Sequence, residues 1–168
     1  NRLSYIYLIT RYRLSTQIED QSRAFLQGLT ELINPRWLRL FNTEELRVLV
    51  TGADTPIDVE DLRRNTVYGG YHEKDMAVQY FWEALSSLDQ ASLKAFLRFV
   101  TSSPNPPLLG FSELNPKFAI RHAGDDITRL PTASTCVNLL KLPAYNSTAQ
   151  CLEKVKYAIY SGAGFDLS

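Results

Sequence analysis

Cysteine and histidine are scarce in this chain, which holds two residues of each type among 168. Two cysteines are too few for the disulfide framework of a small secreted domain, so a reducing compartment, the cytosol or the nucleus, is predicted. Because Cys136, Cys151, His72 and His122 stand at no short spacing, a four-ligand metal site would have to be assembled from isolated side chains. We therefore expect neither a metal nor another cofactor.

The chain also lacks an excess of charge of either sign and a long apolar run. Eighteen Lys and Arg balance eighteen Asp and Glu, so no global positive field favours nucleic acid or an anionic membrane as a partner. No apolar segment approaches the roughly 20 residues that cross a bilayer, and arginines break the N-terminal stretch where a secretory signal would be apolar. We expect a soluble protein. The chain has no initiator Met, and its apolar periodicity is already running at Leu3, which indicates a fragment.

The first third of the chain is predicted to be helical. Apolar residues recur at helical spacing from Ile18 to Leu32. A capping box of Asn42 and Glu45 then begins a helix that ends at Gly52. The Gly, Asp and Pro cluster at 51–56 is the best candidate for a linker, although an ordinary loop between helices is an open alternative.

The remainder of the chain combines helices with short strands, so the predicted fold class is α+β. Helices are predicted at 58–64, 74–88, 89–100 and 147–160, with Asp89 as the cap of the third, and strands at 117–122 and 135–142. The VYGGY segment at 67–71 is predicted to be a turn, and the small and hydroxyl-bearing residues at 131–135 favour a loop.

Cys136 follows that predicted loop, a position that exposes a thiol, although composition alone favours a buried core cysteine. The residues around it match the pattern that HECT-type ubiquitin ligases carry around their active cysteine: Arg129, Leu130, Pro131, Thr135, Cys136, Asn138, Leu140, Leu142, Pro143 and Tyr145. Further matches include RAFLQGL, WLRLF, FVTS, GFSEL and the closing GFDLS. The chain therefore resembles the C-terminal part of a HECT catalytic domain, closest to the branch of proteasome-associated ligases that extend ubiquitin chains.

This resemblance implies a helical segment of the larger, N-terminal lobe at 1–52, a hinge at 53–56, and a catalytic C-lobe at 57–168 with a short sheet flanked by helices. It also implies that Cys136 accepts ubiquitin as a thioester and transfers it to a lysine of a substrate or of ubiquitin. The implied partners are ubiquitin, a conjugating enzyme that docks on the absent part of the N-lobe, protein substrates and the proteasome. We expect poor activity from the isolated segment.

The resemblance also implies roles for residues near the thiol and in the tail. Arg129, Leu130, Pro131 and Ser134 form the active-site loop, Thr135 and Asn138 support it, and Phe165 positions the lobe for lysine attack. Asp166 is a candidate for helping the lysine lose its proton, and a solvated tail carboxylate is an equal alternative. Asn138 serving only its own backbone, and Phe165 completing the core, are the other open alternatives.

Ser134 marks a departure from the family, since many members carry a histidine two residues before the nucleophile. A cysteine hydrolase is a competing function, but neither histidine has a sequence context that indicates a catalytic dyad with Cys136. A non-catalytic ubiquitin-binding or proteasome-binding module, in which Cys136 only packs, is the principal alternative. Cys151 shares a helical face with Val155 and Ala158, which predicts a packing role.

Overall fold

A computed structural model describes residues 1–52 and 54–161, and it divides the chain into two compact units, Asn1–Leu46 and Arg47–Ser168. None of the described helices combines the length and apolar character that a membrane crossing demands. The predicted hinge at 53–56 begins a few residues after the division between the units, and it stays a prediction.

The first unit is helical, as predicted. Its helices are α1 (Arg2–Leu14), α2 (Glu19–Leu32), α3 (Pro35–Leu38) and the first residues of α4 (Thr43–Thr51). The predicted capping box is confirmed, because the backbone N–H of Glu45 donates to Asn42 Oδ1 at 2.9 Å and that of Asn42 donates to Glu45 Oε2 at 2.8 Å. No side chain of these four helices is buried within the described residues. The buried core residues of the described chain all lie in the second unit.

The second unit mixes helices and strands, which confirms the α+β prediction. Its elements are α5 (Val59–Arg64), β1 (Val67–Gly69), α6 (Met76–Ser86), α7 (Gln90–Thr101), β2 (Ala119–His122), β3 (Thr132–Ser134), β4 (Leu139–Leu142) and α8 (Thr148–Ser161). The predicted cap of α7 is confirmed, since Asp89 Oδ1 accepts from the backbone N–H of Ser92 at 2.8 Å.

The four strands form one sheet in the order β1-β2-β4-β3. β1, β2 and β4 run parallel, whereas β3 is an edge strand antiparallel to β4. The face that carries Ile120, Ala133 and Leu140 is buried against the helices, and the core continues through Phe81 and Phe96. The sheet and its helices thus form two layers with the core between them.

Three sequence predictions were wrong in detail. The predicted turn at 67–71 contains β1, and the predicted loop at 131–135 contains β3. The predicted strand at 135–142 is a 3₁₀ turn over Thr135–Val137 followed by a strand that starts only at Leu139. Strands of three or four residues carry too few side chains to show alternation, and pairing with distant strands decides their structure.

Candidate active site

Cys136 lies in the 3₁₀ turn Thr135–Val137 that joins β3 to β4, and its side chain is exposed. Cys151, on α8, has no exposed surface, and burial raises the pKa of its thiol to about 12. The packing role predicted for Cys151 agrees with this burial. The structure therefore separates the two thiols by environment, and only Cys136 can be reached by a large electrophile from solvent.

Asn138 fixes the end of the turn that carries Cys136. Its backbone is left-handed, with φ 50° and ψ 42°, a conformation that asparagine tolerates better than most residues. Its side-chain amide donates to the carbonyl of Pro116 at 2.6 Å, and its own carbonyl accepts from the backbone N–H of Ala119 at 3.0 Å. Asn138 thus joins the cysteine turn to the start of β2.

A second set of contacts holds the stem of the loop before β3. The hydroxyl of Tyr145, a residue with only 2% of its surface exposed, donates to the carbonyl of Arg129 at 2.7 Å. The ammonium of Lys154 donates to the neighbouring carbonyl of Thr128 at 3.0 Å. Burial raises the pKa of Tyr145, so its hydroxyl keeps the proton that it donates. The loop is anchored at both ends, and Cys136 lies in the segment between the anchors.

The other predicted loop residues lie where this anchoring places them. Arg129 is exposed, Leu130 is half-buried and Pro131 is buried. Ser134 ends β3 and Thr135 begins the turn, both half-buried, and the carbonyl of Thr135 accepts from the backbone N–H of Asn138 at 3.4 Å. Phe165 and Asp166 lie outside the described residues, and their roles stay predictions.

The two histidines lie away from the cysteine turn. His122 pairs with Leu142, at the end of β4 opposite to the turn, and its Nε2 is 3.2 Å from Asp125 Oδ1. His72 follows β1 at this same end of the parallel strands. Within residues 1–52 and 54–161 no histidine stands beside Cys136, so the dyad of a cysteine hydrolase is not formed there.

The described residues contain no group of three or more His, Cys, Asp and Glu side chains that could hold a metal ion. The site therefore offers one exposed thiol on an anchored turn, a group suited to nucleophilic attack on an activated acyl carbon.

Three contributors to this site did not emerge from the sequence as functional residues: Tyr145, Lys154 and the Pro116 carbonyl. Tyr145 is one of the residues that match the family pattern around Cys136, and that match is the one sequence signal that points to it. The contacts of Lys154 and Pro116 join residues 26 and 22 positions apart, and no local pattern reports them.

Comparisons with known proteins agree with this chemistry. The family model of the HECT domain, described as a ubiquitin-transferase, matches residues 1–168. The chain is 48% identical over its whole length to a probable E3 ubiquitin protein ligase, C167.07c, of Schizosaccharomyces pombe, of which it covers 16%. It is 49% identical to the E3 ubiquitin-protein ligase HUL5 of Saccharomyces cerevisiae and 41% identical to the human ubiquitin-protein ligase E3B, over its whole length and 18% of each. The chain thus spans less than a fifth of the length of these relatives.

Proposed function

Because the chain belongs to the HECT family of ubiquitin transferases, we propose that Cys136 accepts ubiquitin as a thioester and passes it to a lysine amine. The activity is that of the whole ligase that contains this segment. The observation that carries the proposal is the exposure of Cys136 on a turn whose flanks are fixed by Asn138 and Tyr145.

In the first step, the sulfur of Cys136 attacks the carbonyl carbon of the thioester that joins ubiquitin to a conjugating enzyme. A carbon–sulfur bond to Cys136 forms, the bond to the conjugating enzyme's cysteine breaks, and the proton lost by Cys136 ends on the departing thiolate or in solvent. One thioester replaces another, so the step needs no strong base. Among the described residues no histidine lies beside Cys136, and thioester exchange does not require one.

In the second step, the amine of a lysine on a substrate or on ubiquitin attacks the same carbonyl carbon. An amide bond forms, the Cys136 thiolate leaves, and the lysine nitrogen loses a proton. An ordinary lysine has a pKa near 10.4, so a proton acceptor close to the thioester accelerates the step. Asp166 is the proposed acceptor, and Phe165 the proposed positioning residue.

The edge strand β3 supports a path for the incoming acyl group. β3 pairs with β4 on one side only, and Ser134 at its end lies two residues before Cys136. The free side of an edge strand presents backbone donors and acceptors to an extended peptide. The C-terminal tail of ubiquitin, which must be extended to reach a thiol, fits this requirement.

The hinge at 53–56 is proposed to carry the catalytic lobe between its two partners, since the conjugating enzyme and the acceptor lysine cannot occupy one place. Asp54 in this segment forms an ion pair with Lys94 of α7, and the amide of Asn105 donates to the carbonyl of Thr51 at 3.2 Å. Both contacts lie near the surface, where such interactions contribute little net stability. Breaking these two contacts would therefore cost little when the hinge moves.

The partners proposed for the whole ligase are ubiquitin, a conjugating enzyme and protein substrates. Association with the proteasome, the building of ubiquitin chains, and residence in the cytosol and nucleus are proposed from the resemblance to the chain-extending branch and from the scarcity of cysteine.

The test uses the full-length ligase with activating enzyme, conjugating enzyme and ubiquitin. Wild-type ligase is expected to form a ubiquitin adduct that a thiol reductant removes, and Cys136→Ser an adduct that resists the reductant but yields to hydroxide. Cys136→Ala is expected to form none, whereas Cys151→Ala keeps the adduct. Chain formation that survives Cys136→Ala, with no reductant-sensitive adduct in the wild type, would contradict the proposal and favour a non-catalytic binding module.

A further inference from the structure

The sheet of the second unit has one face that its helices do not cover. The strand register places two rows of side chains on this open face: Val67, Ala119, Leu139 and Ser134 in one row, and Gly69, Arg121, Lys141 and Thr132 in the other. The row between them, with Tyr68, Ile120, Leu140 and Ala133, points into the core. This alternation follows from the two-residue repeat of a strand.

Apart from Ser134, the first row is apolar, and it lies at the end of the sheet where β4 begins after the cysteine turn. Val67 has 51% of its surface exposed, and Ala119 and Leu139 are half-buried without belonging to the core cluster. Leu139 is the third residue after Cys136, and Val137, inside the turn, is 43% exposed. Apolar side chains therefore follow Cys136 along the chain onto the open face of the sheet.

The second row carries two positive charges side by side. Arg121 and Lys141 are direct neighbours in the register of β2 and β4, strands that lie about 4.8 Å apart. Neither side chain forms an ion pair or a hydrogen bond with any residue that the structure describes. The stem of Arg121 lies beside Gly69, where an added Cβ would stand 3.8 Å from its Cγ. In a chain whose formal net charge is zero, the two side chains form a local pair of positive charges.

Resting on the proposed function, we propose that this open face receives the acceptor, a protein surface on which the lysine to be modified is flanked by acidic side chains. The apolar row contacts the backbone and apolar groups around the lysine. Arg121 and Lys141 pair with the carboxylates and thereby hold the amine near the Cys136 thioester. Complementary charge also speeds the encounter, because long-range attraction guides the approach.

The spacing of the two rows defines which acceptors fit. The basic row lies two residues, or roughly 7 Å, farther along the strands from the turn than the apolar row. A carboxylate that reaches Arg121 while the lysine reaches Cys136 must therefore stand on the order of 10 Å from the amine. Acidic residues a few positions from the lysine satisfy this distance. A nucleic acid would satisfy the charge but leave the apolar row without a partner.

The experiment measures discharge of ubiquitin from the preloaded full-length ligase to two blocked peptides. In one, a single lysine is flanked by glutamates, and in the other by glutamines. Wild-type ligase is expected to discharge about fivefold faster to the glutamate peptide, as suits two exposed ion pairs, and added salt should remove the preference. Arg121→Glu with Lys141→Glu should abolish or reverse the preference while leaving thioester loading unchanged.

A matched control applies the same charge change to Lys74→Glu with Lys156→Glu, two exposed residues that lie in the turn before α6 and on α8. This control should retain the wild-type preference. Equal discharge to both peptides in the wild type, or an unchanged preference in the Arg121 and Lys141 variant, would overturn the inference. Loss of loading in that variant would also overturn it, because the face would then bind the donor ubiquitin.

Two further outcomes have different meanings. Failure of the wild type to load at all would contradict the proposed function. Short single-stranded DNA that blocks discharge to both peptides equally would assign the face to nucleic acid and overturn the inference.

Discussion

The side-chain amide of Asn138 donates to the carbonyl of Pro116 across 2.6 Å, although 22 positions separate the two residues. The bond ties the turn that presents Cys136 to the segment that enters β2. A neutral side-chain donor and a backbone carbonyl thus fix the end of the turn that carries Cys136.

Asn138→Gly separates the hydrogen bond from the backbone conformation, because glycine adopts the left-handed region freely but offers no donor. We expect a loss of about 1 kcal/mol in the free energy of unfolding and an approximately tenfold slower transfer of ubiquitin to Cys136. Asn138→Ala should lose about a further 1 kcal/mol, since alanine resists this conformation. Urea unfolding and single-turnover loading measure the two effects. A glycine variant that loads as fast as the wild type would show that the bond to Pro116 has no part in placing the thiol.

Tyr145→Phe removes one hydroxyl and leaves the carbonyl of Arg129 without its donor. We expect the free energy of unfolding to fall by about 1 kcal/mol, the usual net contribution of one hydrogen bond. Tyr157→Phe is the matched control, because Tyr157 is exposed and its substitution should change stability by less than about 0.5 kcal/mol. Equal urea midpoints for the two variants would argue against anchoring by Tyr145.

Burial of Cys151 predicts a specific loss of stability at alkaline pH. Its thiol has a pKa raised from 9.0 to about 12 in the folded protein, so the unfolded chain releases this proton first. The resulting stabilisation is complete below pH 9 and declines as the pH rises towards 12. We expect Cys151→Ala to lose about 1 kcal/mol less per pH unit than the wild type across this window. Burial raises the pKa of Tyr71 to about 12 as well, and a charge on Cys151 adds to that rise, so the difference between the two proteins reports Cys151 together with its effect on Tyr71. Parallel pH profiles would contradict the prediction.

Gly52 stands where a side chain has no room. Its φ is +79°, and an added Cβ would lie 2.5 Å from the carbonyl oxygen of Pro106. Gly124, with φ +93° and nothing within 4 Å of an added Cβ, shares the conformation but not the collision. Gly124→Ala should therefore cost about 1 kcal/mol and Gly52→Ala at least about 1 to 3 kcal/mol more, because backbone atoms must move. Thermal or urea unfolding measures the two losses of stability. Equal losses for Gly52→Ala and Gly124→Ala would show that the segment after α4 readjusts freely.

The sequence predicted well those features whose causes are local. The capping box of Asn42 and Glu45 and the cap at Asp89 are confirmed because each joins residues three positions apart. The helices around Val78 and Phe96 are confirmed because their apolar faces repeat at helical spacing. Local chemistry was thus sufficient for the helical layer.

The sheet depends on distant partners, and there prediction was weaker. β1 has three residues and ends at Gly69, so its local signal is that of a turn, and only pairing with β2 makes it a strand. The exact start of β4 was missed because the left-handed residue Asn138 breaks the extended run. The exposure of Cys136 could not be deduced from composition, which favours burial for cysteine, and the pattern around it supplied the correct expectation.

The hairpin formed by β3 and β4 has two unequal arms. β4 shares backbone hydrogen bonds with neighbours on both sides, whereas β3 has a ladder on one side only. Opening β3 breaks the hydrogen bonds to one neighbouring strand, whereas opening β4 breaks those to two. Spontaneous local opening is therefore more frequent at β3, before Cys136, than at β4, after it. Cys136 therefore lies between a stable central strand and an edge strand that opens more readily. The edge strand can open to admit a large partner while the centre of the sheet stays paired.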